Sequence, residues 1–178
     1  MEEKQIIEKV IGAFAGVSFE KIEENTDHPL LIVPAEEIAD VCSYLRDESE
    51  LRMDTLANLS CVDEGDNLSV VYHLFSLHHR HFSVLKVSVA REKPEIPTVQ
   101  PIWPGAGWFE REAYDLMGIH FAGHPDLRRI MMPDDWVGHP LRKDYEEQEE
   151  YHGMGTSRTN PMDTLTLADS PEKDESSD

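Results

Sequence analysis

The 178-residue chain is predicted to fold as an α+β protein: a small mixed or antiparallel sheet packed by helices, followed by an extended C-terminal strap and an acidic tail. Stretches with apolar residues at helical spacing are interspersed with strand-like runs, but not in strict strand–helix alternation, which argues against a doubly wound sheet. Past residue 118 the periodicity stops while apolar residues continue, and from Asp144 onward acids dominate. These observations place a globular domain at 1–118, a strap at 119–151 and a tail at 152–178.

Residues 3–15 put Ile6, Ile7, Val10, Ile11 and Phe14 on one face and Glu2, Glu3, Lys4, Glu8 and Lys9 mostly on the other. That is the pattern of a surface helix packed on a sheet, with Gly16 as its stop. The run Leu30-Leu31-Ile32-Val33 ends at Pro34 and reads as a strand handing over to a helix. This second helix carries Ile38, Val41, Cys42 and Leu45 at i, i+3, i+4 and i+7, with acids in its first turn where the dipole favours them. Residues 56–62 have strand character and run into the turn chemistry of Asp63-Glu64-Gly65-Asp66-Asn67. Residues 68–75 and 82–90, joined by a short segment, form an antiparallel hairpin. Pro94, Pro97, Pro101 and Pro104 then force an extended or turned connection. Phe109, Ala113, Leu116 and Met117 supply the apolar face of another helix, which Gly118 ends by adopting the left-handed conformation.

The chain has 16 basic and 36 acidic residues, a net charge of −20 that disfavours nucleic acid and anionic lipid, whose phosphates select Lys and Arg. From Asp144 to the last residue, eleven acids stand against two bases, the composition of a disordered or partner-ordered tail. Cys42 and Cys61 are the only thiols and lack C-x-x-C spacing, so no disulfide framework or cluster-binding set is expected, and a reducing compartment is. Cys42 falls on the core face of its helix. No apolar run approaches the ~20 residues a membrane helix needs.

Three groups of residues invite a chemical reading. His73, His78, His79 and His81 cluster near the hairpin tip, but adjacent loop histidines diverge and no supporting second shell is evident. Glu110, Arg111 and Glu112 sit at consecutive helical positions about 100° apart, so they reach three different neighbours and act as a charged ruler that fixes the helix. Tyr114 shares a face with Glu110, and Arg111 and Asp115 have the spacing of an i, i+4 ion pair. His124, Asp126 and His139 could be drawn as a catalytic or metal set. Two prolines directly follow the histidines and no nucleophile elbow is present, which favours positioned loop residues instead. A free-standing metal-dependent enzyme is therefore the weakest reading.

The run Trp108-Phe109-Glu110-Arg111-Glu112-Ala113-Tyr114-Asp115-Leu116-Met117-Gly118 is followed by Gly123-His124-Pro125-Asp126-Leu127-Arg128-Arg129-Ile130 and His139-Pro140-Leu141-Arg142-Lys143-Asp144-Tyr145. Together these resemble the signature of the C subunit (30-kDa subunit family) of type-1 NADH:quinone oxidoreductase, respiratory complex I. The resemblance is clearest over residues 95–145, and it departs at Glu146, where the family pattern continues with proline after Tyr145.

The resemblance implies a scaffold subunit of the peripheral arm on the cytoplasmic side of the bacterial inner membrane. It implies no cofactor in this chain, with NADH, FMN, iron–sulfur clusters and quinone in partner subunits. It also implies a strap wrapped against the large D subunit at the quinone site, beside the iron–sulfur subunits. Arg128, Arg129, Arg142 and Lys143 are then candidate interface cations next to Asp144, and Trp136 a candidate anchor. The apolar residues of the strap support this, since each large one is worth roughly 1.5–3 kcal/mol when buried and should be held against something. The equivalent subunit of a membrane-bound energy-converting hydrogenase, or of an F420H2- or ferredoxin-fed relative, is the alternative.

Overall fold

The computed structural model describes residues 2–22 and 28–156, which divide into a compact unit ending at Tyr145 and a second unit beginning at Glu146. Helix α1 (Glu3–Ala13) buries Ile6, Ile7 and Val10, and starts with a capping box in which the Glu2 and Gln5 side chains each satisfy the other's backbone amide. Strands β1 (Glu20–Ile22) and β2 (Leu30–Ile32) pair antiparallel; β1 is too short to show a sequence period and was not anticipated. Pro34 opens a 3-10 turn (Ala35–Glu37) that leads into α2 (Ile38–Asp47). The buried residues of α2 are Ile38, Val41, Cys42 and Leu45, the face its spacing marks out.

Strands β3 (Thr55–Asp63), β4 (Asn67–Phe75) and β5 (Phe82–Ala90) complete a mixed sheet in the order β1-β2-β5-β4-β3. Within it, only the β2–β5 pairing is parallel. Registers Val70↔Val87 and Tyr72↔Leu85 put these four side chains on one face, where Leu68 and Leu74 are also fully buried. Val71, His73, Lys86 and Ser88 lie on the other, partly exposed face. This is the apolar-in, polar-out alternation of an antiparallel sheet with one packed side.

The proline-rich connection contributes β6 (Glu95–Pro97), and α3 (Ala106–Met117) follows it. The chain after Gly118 forms β7 (His120–Ala122), parallel to β6, so β6, α3 and β7 make a small strand–helix–strand unit. The extended segment whose periodicity stops after residue 118 thus opens with a three-residue strand, whose partner lies 25 residues earlier and leaves no local pattern. Ile119 and Phe121 are buried with the main core, and residues 119–145 belong to the same compact unit as the sheet. In the second unit, β8 (Glu150–Tyr151) and β9 (Met154–Gly155) form a hairpin. Its turn residues His152 and Gly153 both have positive φ, as a two-residue turn with right-handed strand twist requires. The hairpin spans the expected strap–tail boundary at 151, and the tail from 157 onward lies outside the described residues.

The Tyr72 hydroxyl is buried within the core and has no hydrogen-bond partner among the described residues. Removing an unsatisfied buried hydroxyl from a well-packed ring restores its desolvation cost, so Tyr72→Phe is expected to stabilise the domain by about 1 kcal/mol in urea denaturation. A destabilised variant would reveal a partner for that oxygen.

Candidate functional site

Helix α3 is the centre of the sequence signature, and it buries acids. Glu110 and Asp115 are both fully inaccessible, while Phe109 and Leu116 of the expected apolar face are only half-buried. Glu110 points back toward the segment that precedes the helix. Its Oε1 accepts the Val99 amide at 2.7 Å and its Oε2 the Thr98 hydroxyl at 2.5 Å. Burial pushes its carboxyl up to about 7 against the effect of these two donors. His124 stands 3.9 Å away through Nε2, on the same side of the helix. Its Nδ1 accepts the Asp126 amide, which leaves Nε2 to carry the proton and donate to the Gly107 carbonyl at 3.3 Å. His124 and Asp126 are therefore parts of one turn.

Asp115 points the other way, toward the segment that follows. Its Oδ2 accepts the amides of Ile130, Met131 and Met132 at 2.9, 2.6 and 2.9 Å, and its Oδ1 takes Arg129 Nη1 at 3.2 Å. Burial works against ionisation here too, but three amides and a guanidinium outweigh it and hold the carboxyl below its usual range. The i, i+4 pair expected between Arg111 and Asp115 is not what forms. Arg111 turns to the Arg128 carbonyl (3.3 Å) and toward Asp126 (3.8 Å), with Trp108 under its guanidinium at 5.1 Å. A charge four residues away along a helix is a weak partner beside converging backbone amides.

The carbonyls at the end of α3 are taken by residues 139–142. His139 Nδ1 donates to the Asp115 carbonyl at 2.9 Å, the Leu141 amide to Leu116 at 3.0 Å, and Arg142 Nε to Met117 at 2.7 Å. Tyr114 packs edge-on to the His139 ring at 6.5 Å. A cation at a helix C-terminus also meets the negative end of the macrodipole. Gly118 makes this possible: its φ is +70°, and a Cβ there would stand 2.5 Å from both Arg142 and His139.

Of the four cations expected to face a partner, two are thus engaged inside this chain: Arg142 on the helix end, and Arg129 on Asp115 and the Gly138 carbonyl. Arg128 is largely exposed and chelates Asp126. The Lys143 side chain is exposed while its amide donates to Asp63 Oδ2 at 2.8 Å. Sequence reading missed that anchor. Asp63, treated only as turn chemistry, also accepts Gly65 N and Arg91, and Arg91 reaches Asp144 at 2.7 Å. The Lys143 and Gly65 amides, with Arg91, hold the Asp63 carboxyl well below the usual range. Trp136 is half-buried and donates to the Tyr145 hydroxyl at 3.1 Å.

The apolar side chains of this segment behave differently. Met131, Val137 and Leu141 are 63%, 66% and 61% exposed, as is Trp108 at 66%. Glu112, the exposed member of the Glu-Arg-Glu triplet, lines a groove between α3 and β3. Of the hairpin histidines, His79 bonds the Ser49 carbonyl and His81 that of Leu51, while His73 packs against Phe82 and His78 against His79. Among the described residues, no group of three or more His, Cys, Asp and Glu side chains is arranged to hold a metal.

Gly118→Ala is expected to cost more than about 2 kcal/mol of stability, combining a disfavoured φ with displacement of the Arg142 and His139 contacts. A thermal melt within a degree of wild type would show that the helix end relaxes freely. Glu110 predicts a pH dependence. Its folded pKa of about 7 lies above the ordinary value of 4.5, so the folded state holds the proton more tightly. Its contribution is fully present below about pH 4.5 and is lost as pH rises through 7, a swing of about 3 kcal/mol. Glu110→Gln should flatten the fall in unfolding free energy between pH 5 and pH 8, and parallel pH profiles for the two proteins would refute it.

The sequence profile described as "Respiratory-chain NADH dehydrogenase, 30 Kd subunit" matches residues 31–151. Among relatives, the C subunit of NADH-quinone oxidoreductase from Geotalea uraniireducens is 41% identical over 85% of this chain and 95% of its own length. That of Moorella thermoacetica is 43% identical over 73% and 88%. The protein of the same name from Chloroherpeton thalassium is 53% identical over 64% of this chain, which spans only 48% of that longer protein. A trypsin-resistant fragment of Nqo5 superposes with a TM-score of 0.60 at 26% identity, over 71% of this chain and all of the fragment. A chain of an archaeal membrane-bound sulfane sulfur reductase shares the fold, with a TM-score of 0.63 at 22% identity over 80% of this chain and 85% of its own. With the profile running from the second strand through the signature helix to the hairpin after Tyr145, this chain belongs to the family of the respiratory-chain NADH dehydrogenase 30-kDa subunit.

Proposed function

We propose that the chain is a cofactor-free scaffold subunit of the peripheral arm of a proton-translocating NADH:quinone oxidoreductase. In this reading it holds the large quinone-site D subunit and the iron–sulfur subunits in register, on the cytoplasmic side of the bacterial inner membrane. NADH, FMN, the clusters and quinone then belong to its partners. One observation carries the scaffold role: Arg129, His139, Arg142 and the amides of residues 130–132 and 141 turn inward onto α3, while Met131, Val137 and Leu141 stand in solvent. A segment that is pinned by its own domain yet presents apolar side chains is built to be covered. No described helix is long and apolar enough to cross a membrane, so contact with one comes through partners in this reading.

The alternative, an equivalent subunit in a complex with another electron donor, draws support from the fold shared with the sulfane sulfur reductase chain. The relatives at 41–53% identity are all named as C subunits of NADH-quinone oxidoreductase, and this favours the first reading. Catalysis by Glu110 is disfavoured by its position, since a carboxyl with no accessible surface meets no substrate.

Met131→Asp combined with Val137→Asp is expected to release the subunit from its complex while changing the stability of the isolated chain by no more than about 0.5 kcal/mol, because both side chains are exposed in the free protein. Native gel electrophoresis of solubilised membranes reads the first effect and a thermal melt the second. Normal assembly of the double variant would remove the strap as the interface.

A further inference from the structure

The groove between β3 and α3 has the construction of a slot for a strand. Residues 58–61 of β3 line it consecutively, and side chains alternate across a strand, so it is the strand's edge and not one of its faces that borders the groove. Among the described residues, β3 is the edge of the five-stranded sheet and pairs within it only with β4. Sheet edges are ordinarily blunted by Lys, Pro or covering elements, yet Thr55–Asp63 contains no Lys, Arg or Pro. Its bulge lies between Leu56 and Asn58, at the start of the lined stretch.

The opposite wall is α3, through Phe109, Glu112, Ala113, Leu116 and Met117 at i, i+3, i+4, i+7 and i+8, with the exposed Leu141 of the strap beside it. This is the half-buried apolar stripe of the helix, interrupted by one carboxylate. The cavity is about 260 Å³, enough for a few side chains but not for a folded element.

From this we infer that the slot receives an extended segment of a partner protein, which adds a strand to β3 and places alternate apolar side chains against α3, with a Lys or Arg set against Glu112. The inference rests on the reading of the chain as a subunit of a hetero-oligomer and deepens it. Backbone pairing supplies the register, and the apolar stripe selects the side chains. Charge selects the basic residue: Glu112 is the only charged group that lines the slot among the described residues, in a chain of net charge −20. The same charge argues against a second copy of this chain, because pairing β3 with its own symmetry mate would bring two such acidic surfaces and two Glu112 carboxylates together.

Hydrogen exchange on the full chain, alone and within the complex isolated from membranes, tests this directly. Amides of residues 58–61 that face outward in the free chain are expected to slow by about tenfold or more in the complex. A photoreactive side chain in place of Asn58 should cross-link to an apolar, Lys- or Arg-containing segment of a different subunit. Glu112→Arg should weaken co-purification while leaving the melting temperature unchanged, since Glu112 is exposed. Unchanged exchange in an otherwise assembled complex, or cross-links to a second copy, would overturn the slot and leave the scaffold reading standing. A chain that never co-purifies with other subunits would overturn both.

Discussion

Helix α3 ends with its last carbonyls and one buried carboxylate turned toward a stretch of chain that has almost no regular structure, and those acceptors decide where that stretch lies. Asp115 alone fixes three consecutive amides, and residues 139–142 close over the helix end. Each bond nets about a kilocalorie per mole in water, but leaving a buried carboxylate unpaired costs several, so the arrangement is enforced more by the penalty of breaking it than by the gain of making it. Gly118 sets the geometry, because the chain must leave the helix through a left-handed residue and pass within contact of Arg142 and His139. An irregular segment obtains in this way a single conformation without a helix or sheet of its own.

Two carboxylates five positions apart on this helix are both buried and yet ionise differently. Glu110 has two donors, one of them a neutral hydroxyl, and its neighbour His124 stands 3.9 Å away, beyond hydrogen-bond distance. Asp115 has three amides and a guanidinium. Burial penalises both anions, so the number and charge of the donors settle the outcome. The structural effect is nevertheless symmetric. Glu110 ties the helix to residues 98–99 before it and Asp115 ties it to residues 129–132 after it, and the helix thereby sets the relative position of both flanking segments. Glu112, by contrast, is exposed.

What was legible in the sequence follows the range of the interactions. The faces of α1 and α2 and the β4–β5 hairpin depend on neighbours within a few residues, and their spacing marked them. β7 and the Asp63–Arg91–Asp144 chain depend on partners 25 to 80 residues away, and no local pattern records them. The in-chain partners of Arg129 and Arg142, candidate interface cations by sequence, went unseen for a related reason. An arginine in an irregular segment looks free until the helix carbonyls and the carboxylate it serves are in place. A usable signal did exist: a glycine that stops a helix, followed by His-Pro-Leu-Arg some twenty residues on, places cations where helix carbonyls need donors.

This division of labour bears on how such a subunit assembles. Ordering a long loop at the moment of binding costs roughly 1–2 kcal/mol per residue in backbone entropy, which would consume much of the gain from covering a few apolar side chains. Here the ordering is done by the chain itself, through bonds to Asp115, Asp63 and the end of α3. Met131, Val137 and Leu141 are consequently presented on a pre-shaped surface. A partner that covers them gains nearly the full benefit of burial without the cost of folding the strap. In the proposed scaffold role the internal contacts of the arginines would serve an interface indirectly, by holding in place the surface on which the apolar side chains stand exposed.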